Sequence, residues 1–422
     1  MTPAIPDHCA DPVWARANAF PKAPAGFGWV DFKGQTHPCD SFEALCAAID
    51  TDLNAGVMLV WTPESEYMIL PEEAPGAATA VLAARQRRTT ADLLESQTRL
   101  RWFGSALVGL AIYLLYRGWF FAPVGATPTE RLYFAVHAML TSLVLGITLL
   151  MFLILAFIPW YQAHKRRREL AAWTAGHLTA LTPTLRFETW LEWQAAPVTK
   201  ILCGLLGVVA MAQVLCQIKT AGVGVALFHN WGGIAAAGLV KNSYLHGEWW
   251  RLFTAPLLHG NILHFLMNTS ALLYLGKRLE VFARWPHLLL VFLFSASLGG
   301  EASARFVSAT SVGASGGLMG WLGFLLVFEA LHRRLVPRPA SRRLLAGVVL
   351  TGIVGLIGFR FIDNAAHLGG LLAGMLYAII VFPRSISPRR PIATITDRLA
   401  GVLALWILMF SALCAVWQIL TA

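Results

Sequence analysis

Nine separated apolar runs, each close to the length of a bilayer crossing, constrain this chain more than anything else in it. They fall at about residues 102 to 121, 133 to 161, 200 to 218, 261 to 277, 286 to 304, 315 to 331, 344 to 359, 366 to 382 and 399 to 420. A run of about 20 apolar residues is what a helix needs to span a hydrocarbon core. With 57% hydrophobic and 13% charged residues among 422, a water-soluble globular class is excluded. The expectation is an all-α, multi-pass integral membrane protein. The opening MTPAIPDHCADP has no basic stretch followed by an apolar core, so no cleavable signal peptide is expected.

The net charge of +10 is first an orientation signal. One set of alternate connectors holds Lys165 to Arg168, Arg186, Lys200, Lys277, Arg278, Arg284, Arg333, Arg334, Arg338, Arg342, Arg343, Arg384, Arg389, Arg390 and Arg398. The other set holds only Arg117, Arg131, Lys219, Lys241, Arg251, Arg305 and Arg360. The N-terminus is therefore expected inside and the C-terminus outside. Basicity so distributed serves the lipid bilayer, and no interleaved basic and aromatic motif points to nucleic acid. No P-loop or dinucleotide fingerprint is present either. The 6 cysteines are scattered and form no disulfide framework. His8, Cys9, His37, Cys39 and Cys46 match no common zinc spacing, so no metal is expected.

Ahead of the spans lies a stretch of mixed polarity. Gly28 to Phe32 alternates as a strand, Lys33-Gly34 reads as a turn, and Phe42, Leu45, Cys46 and Ile49 recur at helical spacing. Val57 to Trp61 and Glu66 to Leu70 read as further strands, giving a small soluble α+β domain of βαββ order. The domain plan is 1–98, a soluble domain and linker helix; 99–163, two transmembrane helices; 164–199, a basic interfacial connector; 200–385, a six-helix core; and 386–422, a loop and a last transmembrane helix. The partner of the N-terminal domain is unknown.

Polar residues inside apolar spans are costly and mark function. HGNILHFLMN carries His259, His264 and Asn268, the last two at i and i+4 on one helix face. Interhelical hydrogen bonding would explain them equally well. SVGASGGLMG carries Ser315 among Gly313, Gly316 and Gly320, a composition that close helix packing alone could require. DNAAHLGGLLAG carries His367 above Gly370 and Gly374, and a lone intramembrane histidine can be a packing or gating residue. Depth joins the three. Ser315 and His367 each lie within about one turn of the same end of spans running in one direction, and glycines on both let the backbones approach. A serine beside a histidine is a nucleophile with its general base, and His264 with Asn268 could supply the oxyanion donors.

WWRLFTAPLLHGNILHFLMN, then GASG, then AAHLGGLLAG closely resembles the rhomboid intramembrane serine proteases, whose signatures are Trp-Arg, HxxxxHxxxN, GxSG and AHxxGxxxG. The resemblance covers about residues 200 to 383. It implies a rhomboid-like six-helix core, here extended by two helices before it and one after. By that likeness Ser315 is the nucleophile and His367 the base, with His264, Asn268 and the Ser315 N–H as oxyanion hole. Trp250 and Arg251 would hold a long outer loop, with His259, Gly313, Gly316, Gly370 and Gly374 structural. Glu280 occupies the place of an acidic residue that anchors the loop arginine, although a partnership with Lys277 or Arg284 would also suit it. Where the family often has an aromatic under the base, this chain has Met319. Asp363 precedes the last core motif and reads as a helix cap, which leaves a dyad.

The function so implied is endoproteolysis of transmembrane segments of other membrane proteins near the outer interface, with no cofactor. The alternatives are a catalytically silent scaffold of the same fold that binds client helices, and a transporter or channel. Retention of both Ser315 and His367 speaks against the first, and the scarcity of further charges in the spans against the second. The composition suggests a bacterial cytoplasmic membrane.

Overall fold

Asp31 closes the first turn of the chain that matters: its Oδ1 accepts the N–H groups of Lys33 and Gln35, each at 2.8 Å. This turn pairs β1 (Phe27–Val30) antiparallel with β2 (Thr36–Cys39), and β3 (Leu59–Trp61) flanks β1 on its other side. Helix α1 (Phe42–Thr51) buries Leu45 and Ile49 in a core with Val60 and Val81. The order is ββαβ, not βαββ. The strand missed from the sequence, Thr-His-Pro-Cys, is an edge strand with a proline, which lacks both the donor and the apolar alternation that signal a strand. Conversely, the expected strand at Glu66 to Leu70 forms no ladder among the described residues, its backbone pairing at the isolated bridges Lys22↔Tyr67 and Val60↔Ile69. His37 stacks on Trp29 with ring centres 4.1 Å apart, and burial pushes the Cys39 and Cys46 thiols up, away from the thiolate a metal takes.

The computed structural model describes residues 12–51, 57–222, 232–333, 335–359, 362–382 and 393–421. His8, Cys9, Arg334, Arg360, Arg384, Arg389 and Arg390, named above, lie outside the described residues. Residues 15–186 form one compact unit, and residues 187–422 with the segment up to Trp14 form another.

In the first unit the linker helix and the first span are one helix, α2 (Ala78–Phe120). The next expected span is broken. α3 (Pro128–Leu140) opens on a capping box made by Thr127 and Glu130. Ser142 then caps a new start, α4 (Leu143–Phe152), and a π-helical turn at Leu153–Phe157 leads into α5 (Ile158–Leu170). Pro159 explains the π turn, because it offers no N–H to the preceding turn. The basic connector is largely helical, with α6 at Ala175–Trp193.

The second unit holds α7 (Pro197–Ala221), the short loop helices α8 (Ile234–Ala237), α9 (Lys241–Leu245) and α10 (Arg251–Thr254), then α11 (Ile262–Phe282), α12 (Trp285–Phe306), α13 (Ser315–Leu331), α14 (Arg338–Ile357), α15 (Asn364–Val381) and α16 (Ile395–Thr421). Among the described residues of the whole chain, 7 helices are long and apolar enough to cross a membrane. Two expected spans fall short of that measure for different reasons. α13 has only 17 residues, and α11 carries His264, Asn268, Lys277, Arg278 and Glu280. α13 is buried along most of its length and packs on α11, α12, α14 and α15.

Two polar contacts hold one end of this bundle. The Glu280 carboxylate accepts the N–H groups of Val198 and Thr199 at 3.0 and 3.2 Å and the Thr199 hydroxyl at 2.9 Å, satisfying first-turn donors of α7. Neither role foreseen for Glu280 is the one it plays. It stands about 18 Å along α11 from Asn268, at the end opposite the loop, and the loop arginine finds another partner. The second contact is the ion pair Arg278–Glu329 at 2.7 Å, both side chains at most 4% exposed. Removing one member strands a buried charge, whereas replacing both by apolar groups does not. Glu329→Ala is therefore expected to lower stability by about 3–5 kcal/mol, and Arg278→Met/Glu329→Leu to recover most of the loss, both read by thermal unfolding in detergent.

Candidate active site

Two glycine pairs bring the polar residues to one level. A Cβ on Gly370 would lie 2.1 Å from the Gly316 carbonyl oxygen, and one on Gly374 would lie 1.8 Å from that of Gly320. The pairs advance four residues on each helix, so α13 and α15 run parallel with their backbones in contact over a full turn. Ser315 is one residue above the upper pair and His367 three residues above it, so both head the same crossing. α12 closes the third side, since a Cβ on Gly299 would meet the Ala366 oxygen at 2.6 Å.

The start of α11 supplies donors. Asn261 caps this helix by accepting the His264 N–H at 2.9 Å, and the Gly260 N–H points to His264 Nδ1 at 3.4 Å. A ring accepting at Nδ1 carries its proton on Nε2. That Nε2 and the Asn268 Nδ2 both face Gly313, where an added Cβ would meet them at 2.7 and 3.3 Å. Gly313 has φ +121°, a conformation side-chain-bearing residues avoid, and its N–H is fixed to the Ala255 oxygen at 3.0 Å. Asn268 is buried, and its Nδ2 has no protein hydrogen-bond partner. A buried donor left unpaired costs about 1–3 kcal/mol, and Asn268 Nδ2 shares that state with Thr269 Oγ1, Ser295 Oγ and His367 Nδ1 among the described residues. The first turn of α13 adds backbone donors, Ser315 N–H among them, at the positive end of the helix dipole. A cleft of about 40 Å³ opens beside Ser315, lined by Gly313, Gly316, Ser311, Asp363 and Ala366 among others; His264, Asn268 and His367 do not line it, and no hydrogen bond joins the Ser315 and His367 side chains among the described residues.

The remaining candidates support the loop. Arg251 stacks over Trp250 at 4.7 Å, pairs with Glu248 at 2.5 Å and donates to the carbonyls of Ala235 and Gly238 at 3.0 and 2.7 Å. His259 is fully buried, edge-on to His264, and its backbone exchanges two 2.9 Å hydrogen bonds with the Gln213 amide of α7. Gln213 was missed by sequence reasoning, though a glutamine inside an apolar span was a signal. Met319 is buried in α13. Asp363 caps α15, accepting the Ala366 N–H at 2.9 Å. It also joins Lys241, Ser303 and Ser311 in a network the sequence did not disclose.

The fold and site together define a helical, multi-pass integral membrane protein with a polar site at the head of a buried, glycine-rich helix. Comparison with known proteins makes the class specific. Residues 246–384 match the Rhomboid domain. The chain is 35% identical over 150 residues to Rhomboid protease GluP of Bacillus subtilis (strain 168), covering 34% of this chain and 29% of that protein. It is 32% identical over 154 residues to RHOMBOID-like protein 4 of Arabidopsis thaliana, covering 36% and 38%. It is 30% identical over 218 residues to Rhomboid protease GlpG of Yersinia pestis (strain Pestoides F), covering 50% and 73%. The chain belongs to the rhomboid family, and it spans well under half the length of the first two of these relatives.

The glycine contacts admit no added atom without moving a backbone. Gly374→Ala is expected to cost at least about 1–3 kcal/mol by overpacking, measured as a fall in the unfolding midpoint of the purified protein.

Proposed function

We propose that this protein is an intramembrane serine endopeptidase that cleaves transmembrane segments of other membrane proteins with a Ser315–His367 dyad. The observation that carries this reading is the unpaired, buried Asn268 Nδ2 facing Gly313, two residues before Ser315. Two of the relatives above are named rhomboid proteases, which supports it. Ser315 Oγ attacks the scissile carbonyl while His367 takes its proton. The new oxyanion accepts from Asn268 Nδ2, His264 Nε2 and the Ser315 N–H, which are oriented before the charge appears. His367 then protonates the leaving amine, and water, activated by the same ring, releases the acyl group. Asp363 serves the dyad as a cap and not as a third member.

The substrate class follows from backbone chemistry. A helix hides its carbonyls, so a cleavable segment must unwind, and Gly, Pro, Ser or polar residues near the outer interface allow this. The proposed plan assigns residues 200–385 to the catalytic core, 99–163 and 386–422 to added membrane helices, 164–199 to an interfacial connector and 1–98 to a soluble domain and linker. The charge bias of the connectors supports an N-terminus inside and a C-terminus outside, and the Ala-, Leu- and Arg-rich composition suggests a bacterial cytoplasmic membrane.

Ser315→Ala and His367→Ala should abolish labelling by a fluorophosphonate serine-hydrolase probe and cleavage of a transmembrane peptide carrying helix-breaking residues. Asn268→Ala should lower kcat by about 10²–10³-fold with little change in KM. Cleavage that survives in purified Ser315→Ala sinks the dyad. Client helices bound but never cut, with no labelling of the wild type, would favour the silent scaffold.

A further inference from the structure

Lys241 is a lysine buried to 8% exposure in a loop helix, and the mechanism above does not use it. Its Nζ donates to Ser303 Oγ at 2.5 Å and to Ser311 Oγ at 2.9 Å. Both hydroxyls in turn donate to Asp363 Oδ2. Each serine has one proton to give, and Asp363 takes both, so the 2.8 Å approach of the two hydroxyls follows from their lying between the same two charges. The other carboxylate oxygen holds the Ala366 N–H. Ammonium, two hydroxyls and carboxylate thus form a chain in which the donors and acceptors match.

The four residues come from four segments. Lys241 lies in α9, Ser303 near the end of α12, Ser311 in the strap leading to α13, and Asp363 at the head of α15. Ser311 precedes Ser315 by four residues, and Asp363 precedes His367 by four. The network therefore ties the approach to the nucleophile to the approach to the base. A second link fixes the strap to the loop, since Leu239 and Ser311 exchange backbone hydrogen bonds at 2.9 and 3.2 Å. Ser303, Ser311 and Asp363 also line the cleft beside Ser315, so the network is a wall of the site.

We infer that Lys241 and Asp363, bridged by Ser303 and Ser311, are positioning residues that hold Ser315 in register with His367. This rests on the dyad proposed above. It differs from a purely structural role in what it controls. The glycine crossing fixes the depth of the two helices, whereas the network fixes the strap from which Ser315 emerges and the first turn that carries His367. Burial pushes the Lys241 ammonium down to about 8, with Asp363 acting in the opposite sense. The clamp is therefore complete below that pH and loses its cation above it. Among the described residues, the charged groups that face α9 from the elements packed on it are Asp363 and, on α12, Glu301, which Tyr244 and Arg305 engage.

The test is the rate of fluorophosphonate labelling of the full-length protein in detergent, with Ser315→Ala as the blank. Asp363→Asn keeps an acceptor for the Ala366 N–H and removes the charge, and Lys241→Met removes the cation. Each should label at least 10-fold more slowly at pH 7 while unfolding within a few degrees of wild type, and the double variant should be no slower than the slower single. Wild-type labelling should fall above about pH 8. Lys241→Arg should retain most of the rate and lose that alkaline fall. Variants that label at the wild-type rate overturn the positioning role and leave the dyad standing, because wild type remains labelled at Ser315. Wild type that labels no better than Ser315→Ala overturns both.

Discussion

The backbone contact between α13 and α15 is the constraint on which the rest of the molecule depends. In lipid there is no hydrophobic force to press two helices together, so their association rests on close packing and on the hydrogen bonds between them. Gly316 against Gly370 and Gly320 against Gly374 bring the main chains to a separation that no side chain permits. That crossing fixes the relative height of Ser315 and His367, and α12 closes against it through Gly299. The depth of both residues is thereby set by the least adorned residues in the chain.

Polar groups do the complementary work at the two ends. At one end Glu280 caps α7 and Arg278 meets Glu329, both within a protein interior where unpaired charge is costly. At the other, Arg251 gathers the loop carbonyls and Lys241 reaches Asp363 through two serines. Asn268 Nδ2, Thr269 Oγ1, Ser295 Oγ and His367 Nδ1 are among the buried polar atoms left without a hydrogen-bond partner among the described residues. Of these, Asn268 Nδ2 faces Gly313, two residues before Ser315.

Much of this was legible in the residues, and the limits have physical causes. Apolar runs announce helices, and each of the nine runs is helical for all or most of its length. The pattern at 133 to 161 could not reveal that Ser142 restarts a helix or that Pro159 opens a π turn, because both are local backbone effects inside an unbroken apolar run. The spacing of His264 with Asn268, and of Gly370 with Gly374, survives because one helix determines it. The edge strand at Thr36 was lost because its order depends on Asp31 and not on its own side chains. Glu280 was misassigned because a carboxylate near a helix end advertises charge pairing, and capping of a distant helix leaves no mark in sequence. Lys241, Ser303, Ser311 and Asp363 lie far apart along the chain, and only folding makes them neighbours.

The brevity of α13 has a consequence of its own. Seventeen residues rise only about 25 Å, short of a hydrocarbon core of about 30 Å, yet α13 faces its neighbours along most of its length and so escapes the thickness demanded of lipid-facing helices. The 27 residues of α16, studded with exposed leucine, phenylalanine and tryptophan, meet that demand instead. A short, buried helix is thereby released from the length rule that its neighbours obey. Ser315 heads that helix, so its depth follows from how α13 sits among its neighbours and not from the thickness of the bilayer.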